Sequence, residues 1–497
     1  MGAALGMALL ASLPACARPA SSSPVTEAPQ PAPRIAAEQL RDDFRHLYEK
    51  LQASHYDLFA RRPRAEYDAL FEQMLAGFDC PMGKAAASLE FQRFVAYGNV
   101  AHANVPGAGG DWEAFRAAGG RAFPLFLRVV GGRAYVADDY SGMAAVRPGR
   151  EVLTVDGQPV LEWLAPMRRQ VSADTDYLAY AQMETRLPML VWLEHGEVDQ
   201  FQLELADGAG HPVILNVPAL DRRGFEEVAS DRPDRFELDW NTREARIMEG
   251  GIAYLRPGPF YDNRPEANHP WDPAAFKAFI DEAFASFLKA DTPHLLVDLR
   301  NNPGGDNSFS DSMIAWFADK PFRFSEVFDI RVSEAAIESN RKRLEATGGD
   351  PHSTSASLAE AYRDQPLRSR VELPIPLVPP RTGERFRGQV HVLVNRHSYS
   401  NAVLVAAIVQ DYGFGTVLGE ETADLASTFG AMETFTLPYT GIEVGFPKAR
   451  ILRPNGDPQA RGVVPDFVIA DPLEATASDV VLERAISIIE SGANHLR

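Results

Sequence analysis

The chain is poor in cysteine, in long apolar runs and in positive charge, and each shortage closes off a class of function. Only two cysteines, Cys16 and Cys80, occur in 497 residues, which excludes a framework of several disulfides. Neither lies in a zinc-type Cys/His spacing, and no His-Glu-x-x-His occurs. Metal and cofactor are therefore both expected to be none. No apolar run approaches the ~20 residues that span a bilayer. Lys and Arg number 49 against 68 Asp and Glu, a net charge of −19. Affinity for nucleic acid comes mostly from cations that neutralise phosphates, so nucleic acid is not an expected partner. An anionic membrane surface is disfavoured on the same ground.

What remains is the composition of a globular protein, 45% apolar and 24% charged, long enough for roughly three domains of about 150 residues. The first sixteen residues, "MGAALGMALLASLPAC", form a short apolar stretch ending in small residues and Cys16. They resemble a bacterial lipoprotein signal, although no Lys or Arg precedes the apolar core. The expectation is an exported, periplasmic protein whose membrane contact is a lipid anchor at Cys16. Residues 17–33, "ARPASSSPVTEAPQPAP", carry little that could be buried and read as a tether. Segment 1–33 is thus set apart as signal and tether.

Three regions follow. Residues 34–115 read as helical: Leu40, Phe44, Leu47 and Leu51 recur at spacings of three and four. Residues 116–225 read as β-rich, with hairpins in "FPLFLRVVGGRAYVADD" and "FQLELADGAGHPVILNV". From 226 to 497 strands alternate with helices, the signature of an α/β sheet with buried central strands. A charged insertion over 325–385 interrupts this last region and is placed as a candidate cap.

Two strand-to-helix turns carry the chemistry. Strand "HLLVDL" runs into Asn301-Asn302-Pro303-Gly304-Gly305, and strand "QVHVLVN" runs into Arg396-His397-Ser398-Tyr399-Ser400. In a mostly parallel sheet both turns emerge at strand carboxyl ends, where α/β sites form. The glycine turn offers backbone N–H groups with nothing to block approach. It lacks the Gly-Lys-Ser/Thr of a phosphate loop and is not Gly-x-Gly-x-x-Gly, so an oxyanion hole fits better. The second turn supplies hydroxyls at a helix start, where serine is also a favoured N-cap; Ser398 fits that cap as well as Ser400 does.

The stretches "HLLVDLRNNPGG", "VHVLVNRHSYSNAVLVAAIVQDYGFGTVLGEET" and "RGVVPD" are ordered and spaced as in the carboxyl-terminal-processing (tail-specific) and tricorn-like serine peptidases, which the chain resembles over about residues 35–470. The resemblance implies a crotonase/ClpP-like α/β catalytic domain, and "VRPGREVLTVDGQPV" resembles the end of the PDZ-like domain such proteins often carry. It implies Ser400 as nucleophile, with an oxyanion hole of Gly304 or Gly305 plus the N–H of Asn401. The lysine that some members use is missing from "GEETADLASTFGAMETF", and Lys448 does not match its motif. "GNVAHANV" instead matches the tricorn-like context, making His102 the base, with Ala101 where a serine usually stands. Gln459 stands where a glutamate usually orients the base. His397 is the rival base. His55, Asp298 and Arg300 read as structural. The expected function is a serine endopeptidase acting on peptides or unfolded protein tails through an acyl-enzyme. A non-catalytic carrier or peptide-binding protein of the same fold is the alternative.

Overall fold

The computed structural model describes residues 34–492 except 207–210, 231–240, 268, 347, 350, 352, 474–475 and 477. The signal, tether and Cys16 expectations lie outside the described residues. Among those described, no helix is long and apolar enough to cross a membrane, and no three metal-ligating side chains cluster.

The amino-terminal unit is helical: α1 (Ala37–Ser54), α2 (Arg64–Gly77), α3 (Lys84–Ala96) and α4 (Ala108–Ala117). The stripe of Leu40, Phe44, Leu47 and Leu51 is fully buried, against Phe91 and Phe94 of α3.

The next unit is a sheet of β1 (Leu125–Val130), β2 (Arg133–Asp139), β3 (Glu151–Val155), β4 (Gln158–Pro159), β5 (Gln200–Ala206) and β6 (Pro212–Pro218), the helices α5 (Val160–Arg168), α6 (Asp176–Glu184) and α7 (Leu187–His195) falling between β4 and β5. Both expected hairpins form. Gly131 and Gly132 each take a positive φ, 59° and 75°, as a two-residue hairpin turn requires. Three helices within a region that reads as β-rich reflect short apolar runs that periodicity cannot assign alone. Helix α8 (Arg222–Ala229) follows.

The last unit contains β7 (Glu244–Ile247), β8 (Ile252–Arg256), α9 (Ala274–Lys289), β9 (His294–Asp298), α10 (Asn307–Ile314), β10 (Val327–Arg331), α11 (Glu334–Ala346), α12 (Thr354–Tyr362), β11 (Arg370–Glu372), β12 (Gln389–Val394), α13 (Asn401–Tyr412), β13 (Thr416–Gly419), β14 (Thr428–Thr436), β15 (Glu443–Leu452), β16 (Phe467–Val468) and α14 (Val480–Glu490). One sheet runs β16-β13-β12-β9-β8-β7, parallel except for β7. Strands β9 and β12 are direct neighbours, so their two carboxyl-terminal turns lie side by side. A second, antiparallel sheet runs β11-β10-β15-β14. The 325–385 insertion supplies two strands of that sheet and packs on α13 through Leu404. It is built into the fold's framework and does not form a free-standing cap.

A buried ion cluster joins the middle unit to the last. Arg128 of β1 meets Glu184 at the end of α6 at 2.7 Å and Asp471 at 2.7 Å. Arg396, after β12, meets Glu184 at 3.4 Å and Glu420 at 2.6 Å. Burial opposes the ionisation of Glu184, yet Arg128, Arg396 and His397 together hold its pKa below the ordinary carboxylate value. Removing that carboxylate leaves two buried guanidinium groups short of a counter-charge. Glu184→Ala is expected to cost about 3–5 kcal/mol, read as a lowered urea midpoint; an unchanged midpoint would show that the cluster does not hold the units together.

Candidate active site

The neighbouring turns are tied by paired asparagines. Asn301 N–H donates to Asn395 Oδ1 at 3.1 Å, and Asn395 Nδ2 donates back to Asn301 Oδ1 at 2.7 Å. Tyr399 N–H donates to the Asn302 carbonyl at 2.9 Å. These bonds explain why the sequence spends two asparagines after β9. They bring the backbones so close that a Cβ on Gly304 would lie 2.7 Å from Asn401 N and 2.8 Å from Ser400 Cβ. With φ at +83° as well, only glycine fits there. Asp298 and Arg300 brace the turn from beneath: Arg300 bridges Asp298 and Asp479, each at 2.7 Å.

Ser400 stands at the N-cap of α13 with φ 53° and ψ −121°, and its side chain makes no capping bond. A positive φ at a non-glycine residue costs roughly 1–3 kcal/mol and persists only where its surroundings impose it. The other serine does the structural work: Ser398 Oγ donates to the Leu299 carbonyl and accepts from Asn395 N–H. Ser400 Oγ lies 3.4 Å from His102 Nε2, a long contact of the kind that tightens when substrate binds. The sequence places these two side chains 298 positions apart.

His102 sits just after α3 in a loop gripped from two sides. Val100 and Ala103 pack in the helical unit's core, and Ala101 packs in that of the middle unit. Asn104 bridges Gly445 of β15 in both directions, at 3.1 and 2.7 Å. The imidazole stacks on Tyr399 with ring centroids 5.1 Å apart. Burial lowers its pKa below 6.5, opposed by the Asp174 carboxylate and the Phe429 main chain, so the ring is neutral and able to accept a proton near pH 7. Its Nδ1 is buried and makes no hydrogen bond of good geometry.

Gln459 is not at that nitrogen. It is exposed, its N–H bound to Asp457 and its carbonyl to Arg461, in a surface cleft with Gln410 and Arg453. Two buried carboxylates that sequence reading passed over stand nearer the chemistry. Asp174 Oδ2 accepts the Ala101 N–H at 3.0 Å and so fixes the base loop. Asp424 Oδ2 accepts the Ser400 N–H at 2.6 Å, while its Oδ1 is buried and makes no hydrogen bond of good geometry. Asp424 falls within "GEETADLAST", where an acidic residue in an otherwise apolar "ADLA" was the available signal.

The rival bases point elsewhere. His397 lies 4.0 Å from Glu184 in the ion cluster, and burial pushes its pKa down to about 4. Lys448 is bonded to Glu433. His55 Nδ1 accepts the Asp57 N–H. Of the expected oxyanion donors, the Gly304 N–H is already taken by Asn302 Oδ1 at 2.9 Å. The N–H groups of Gly305 and Asn401 make no such main-chain or side-chain bond.

With this geometry in hand, comparison with known proteins is direct. Residues 252–469 match the model of Peptidase family S41. Over that segment the chain is similar to this family. Among solved structures, mature CPAF is similar at 16% identity over 91% of this chain and 96% of that one, with a TM-score of 0.58. Mature CPAF complexed with lactacystin is similar at 16% identity over 92% and 97%, with a TM-score of 0.57. These likenesses show that the shared fold extends through the helical and middle units as well as the segment similar to family S41. Together with the family match they support a serine peptidase.

The Asp424 carboxyl makes a sharp test of this electrostatic reading. Burial raises its pKa from 3.8 to about 6, and the Ser400 and Leu425 N–H groups pull it only partly back. A folded pKa above the unfolded value means that stability is lost as pH rises from about 4 to about 6, and stays lost above. Asp424→Asn keeps an acceptor for Ser400 N–H and removes the charge. It is expected to stabilise the fold by about 2–3 kcal/mol at pH 7.5, with the difference vanishing at pH 4; denaturation at the two pH values measures it.

Proposed function

We propose that this protein is an exported serine endopeptidase of the histidine-base kind, cleaving peptides or unfolded protein tails. The observation that carries the reading is Ser400: a strained, uncapped serine within 3.4 Å of a buried imidazole. His102 Nε2 takes the hydroxyl proton as Ser400 Oγ attacks the scissile carbonyl. The new oxyanion is met by the N–H groups of Gly305 and Asn401, donors fixed in the backbone before reaction begins. His102 then passes its proton to the leaving amine, and water releases the acyl group by the same steps.

The imidazolium formed in each step is buried, where an unpaired charge is costly. Asp174 supplies the compensating field, and Tyr399 holds the ring by stacking, in place of the orienting role expected of Gln459. The middle unit acts as a PDZ-like module that adds substrate as a strand. Export and lipid attachment at Cys16 rest on the amino-terminal sequence.

A non-catalytic carrier is the second reading, favoured by the lack of a good hydrogen bond at His102 Nδ1. A serine-directed fluorophosphonate separates the two. The peptidase reading expects labelling that disappears in Ser400→Ala and falls steeply in His102→Ala, with peptide turnover reduced on the order of 10^4-fold or more. Absence of Ser400-dependent labelling in the wild type would leave the carrier. Because burial depresses the His102 pKa, the acidic limb of kcat/KM is expected at a midpoint below pH 6.5; a midpoint above it would remove His102 as the base.

A further inference from the structure

A cavity of about 270 Å³ lies next to the base loop and the two turns. Its lining includes Ala101, Pro303 and Tyr399, the residues immediately before the base, the glycine turn and the nucleophile. Ser400 and His102 do not themselves line it; the cavity flanks the site. The lining also includes Ser172, Gln182 and Arg186 of the middle unit, so its character is not set by the catalytic domain alone.

Two arginines reach the cavity, and they differ. Arg396 is spent on Glu184 and Glu420. Arg186, at the N-cap of α7, makes one side-chain hydrogen bond, from Nη2 to the Gln182 Oε1 at 3.1 Å. No carboxylate lies within ion-pair distance of it among the described residues. Its side chain is exposed to solvent at the cavity, and the protein around it lowers its pKa from the ordinary arginine value. Its neighbours do not compensate. His397 is neutral near pH 7, and burial holds the Tyr399 hydroxyl un-ionised. Arginine stays charged in proteins, and an exposed guanidinium with no carboxylate at ion-pair distance is free to pair with one that a ligand brings.

We propose that Arg186 is a specificity residue that receives the side-chain carboxylate of a substrate Asp or Glu next to the scissile bond. This rests on the peptidase reading above and deepens it. The fork of the guanidinium matches a carboxylate in two-point contact, whereas a neutral Gln side chain forgoes the charge and a Lys side chain is repelled.

Two measurements test it. In the first, the wild type digests a mixture of denatured proteins, and cleavage sites are read by mass spectrometry. Acidic residues are expected beside the cut, with kcat/KM favouring a Glu peptide over its Gln counterpart on the order of 10- to 100-fold. Arg186→Gln should bring that ratio near one, Arg186→Lys should retain part of it, and Arg186→Glu should turn the preference toward Lys and Arg. Unchanged profiles in Arg186→Glu would overturn the assignment. So would a wild-type preference that vanishes when the peptide C-terminus is amidated, since the occupant would then be a terminal carboxylate. In the second, Ser400→Ala protein binds fluorescent Glu and Gln peptides, both amidated, which reports on the cavity without turnover. Tighter binding of the Glu peptide, lost on adding Arg186→Gln, supports the subsite even if the wild type cleaves nothing. Equal binding of the two peptides overturns it even if the wild type is an active peptidase.

Discussion

Everything at the site depends on how closely two parallel strand ends are held together. Strands β9 and β12 are neighbours, and the Asn301–Asn395 and Asn302–Tyr399 hydrogen bonds draw their turns into contact. At Gly304 there is no room for a Cβ. Ser400 is forced to a positive φ by the same closure, which lifts its hydroxyl away from the helix it would otherwise cap. One geometric constraint thus leaves the Ser400 hydroxyl uncapped and places it beside main-chain donors. Strain of this kind is stored where the surrounding structure over-determines the backbone.

A second constraint is electrical. The site is assembled from three units, and groups that are charged in water become buried where the units meet. The ion cluster around Glu184 balances itself with two arginines and further carboxylates. Around Ser400 the balance is incomplete: Asp424 and Asp174 have raised pKa values, and His102 has a lowered one. Such groups make the fold less stable near neutral pH than a fully apolar site would, and they concentrate where proton transfer is needed. Arg186, exposed and without a carboxylate at ion-pair distance among the described residues, adds an unbalanced charge at the edge of the site.

Much of this was legible before folding. The stripe of Leu40, Phe44, Leu47 and Leu51 marks a buried helix face because the helical period makes those positions neighbours. "HLLVDL" and "QVHVLVN" mark buried strands because both faces of a parallel sheet are covered. Ser400 and His102 were named through the resemblance to the tail-specific and tricorn-like peptidases that their motifs carry. Gln459 was named in the same way, but it lies at an exposed position away from the imidazole, because alignment to a motif fixes sequence order and not where a loop points. Asp174 and Asp424 were passed over for the converse reason: neither belongs to a motif, Asp424 has only its apolar neighbours as a signal, and the significance of both lies in being buried.

The sequence by itself determined the elements and the chemistry available: periodicity set the helices and strands, and glycine, serine and histidine in their turns set what reactions were possible. These are local properties, carried by residues within a few positions of one another. Tertiary structure alone decided which serine keeps its hydroxyl free, which of several histidines meets it, and which glycine N–H remains unspent. Those outcomes depend on contacts between residues up to 298 positions apart, and only closure of the three units around one sheet edge brings them within hydrogen-bond range.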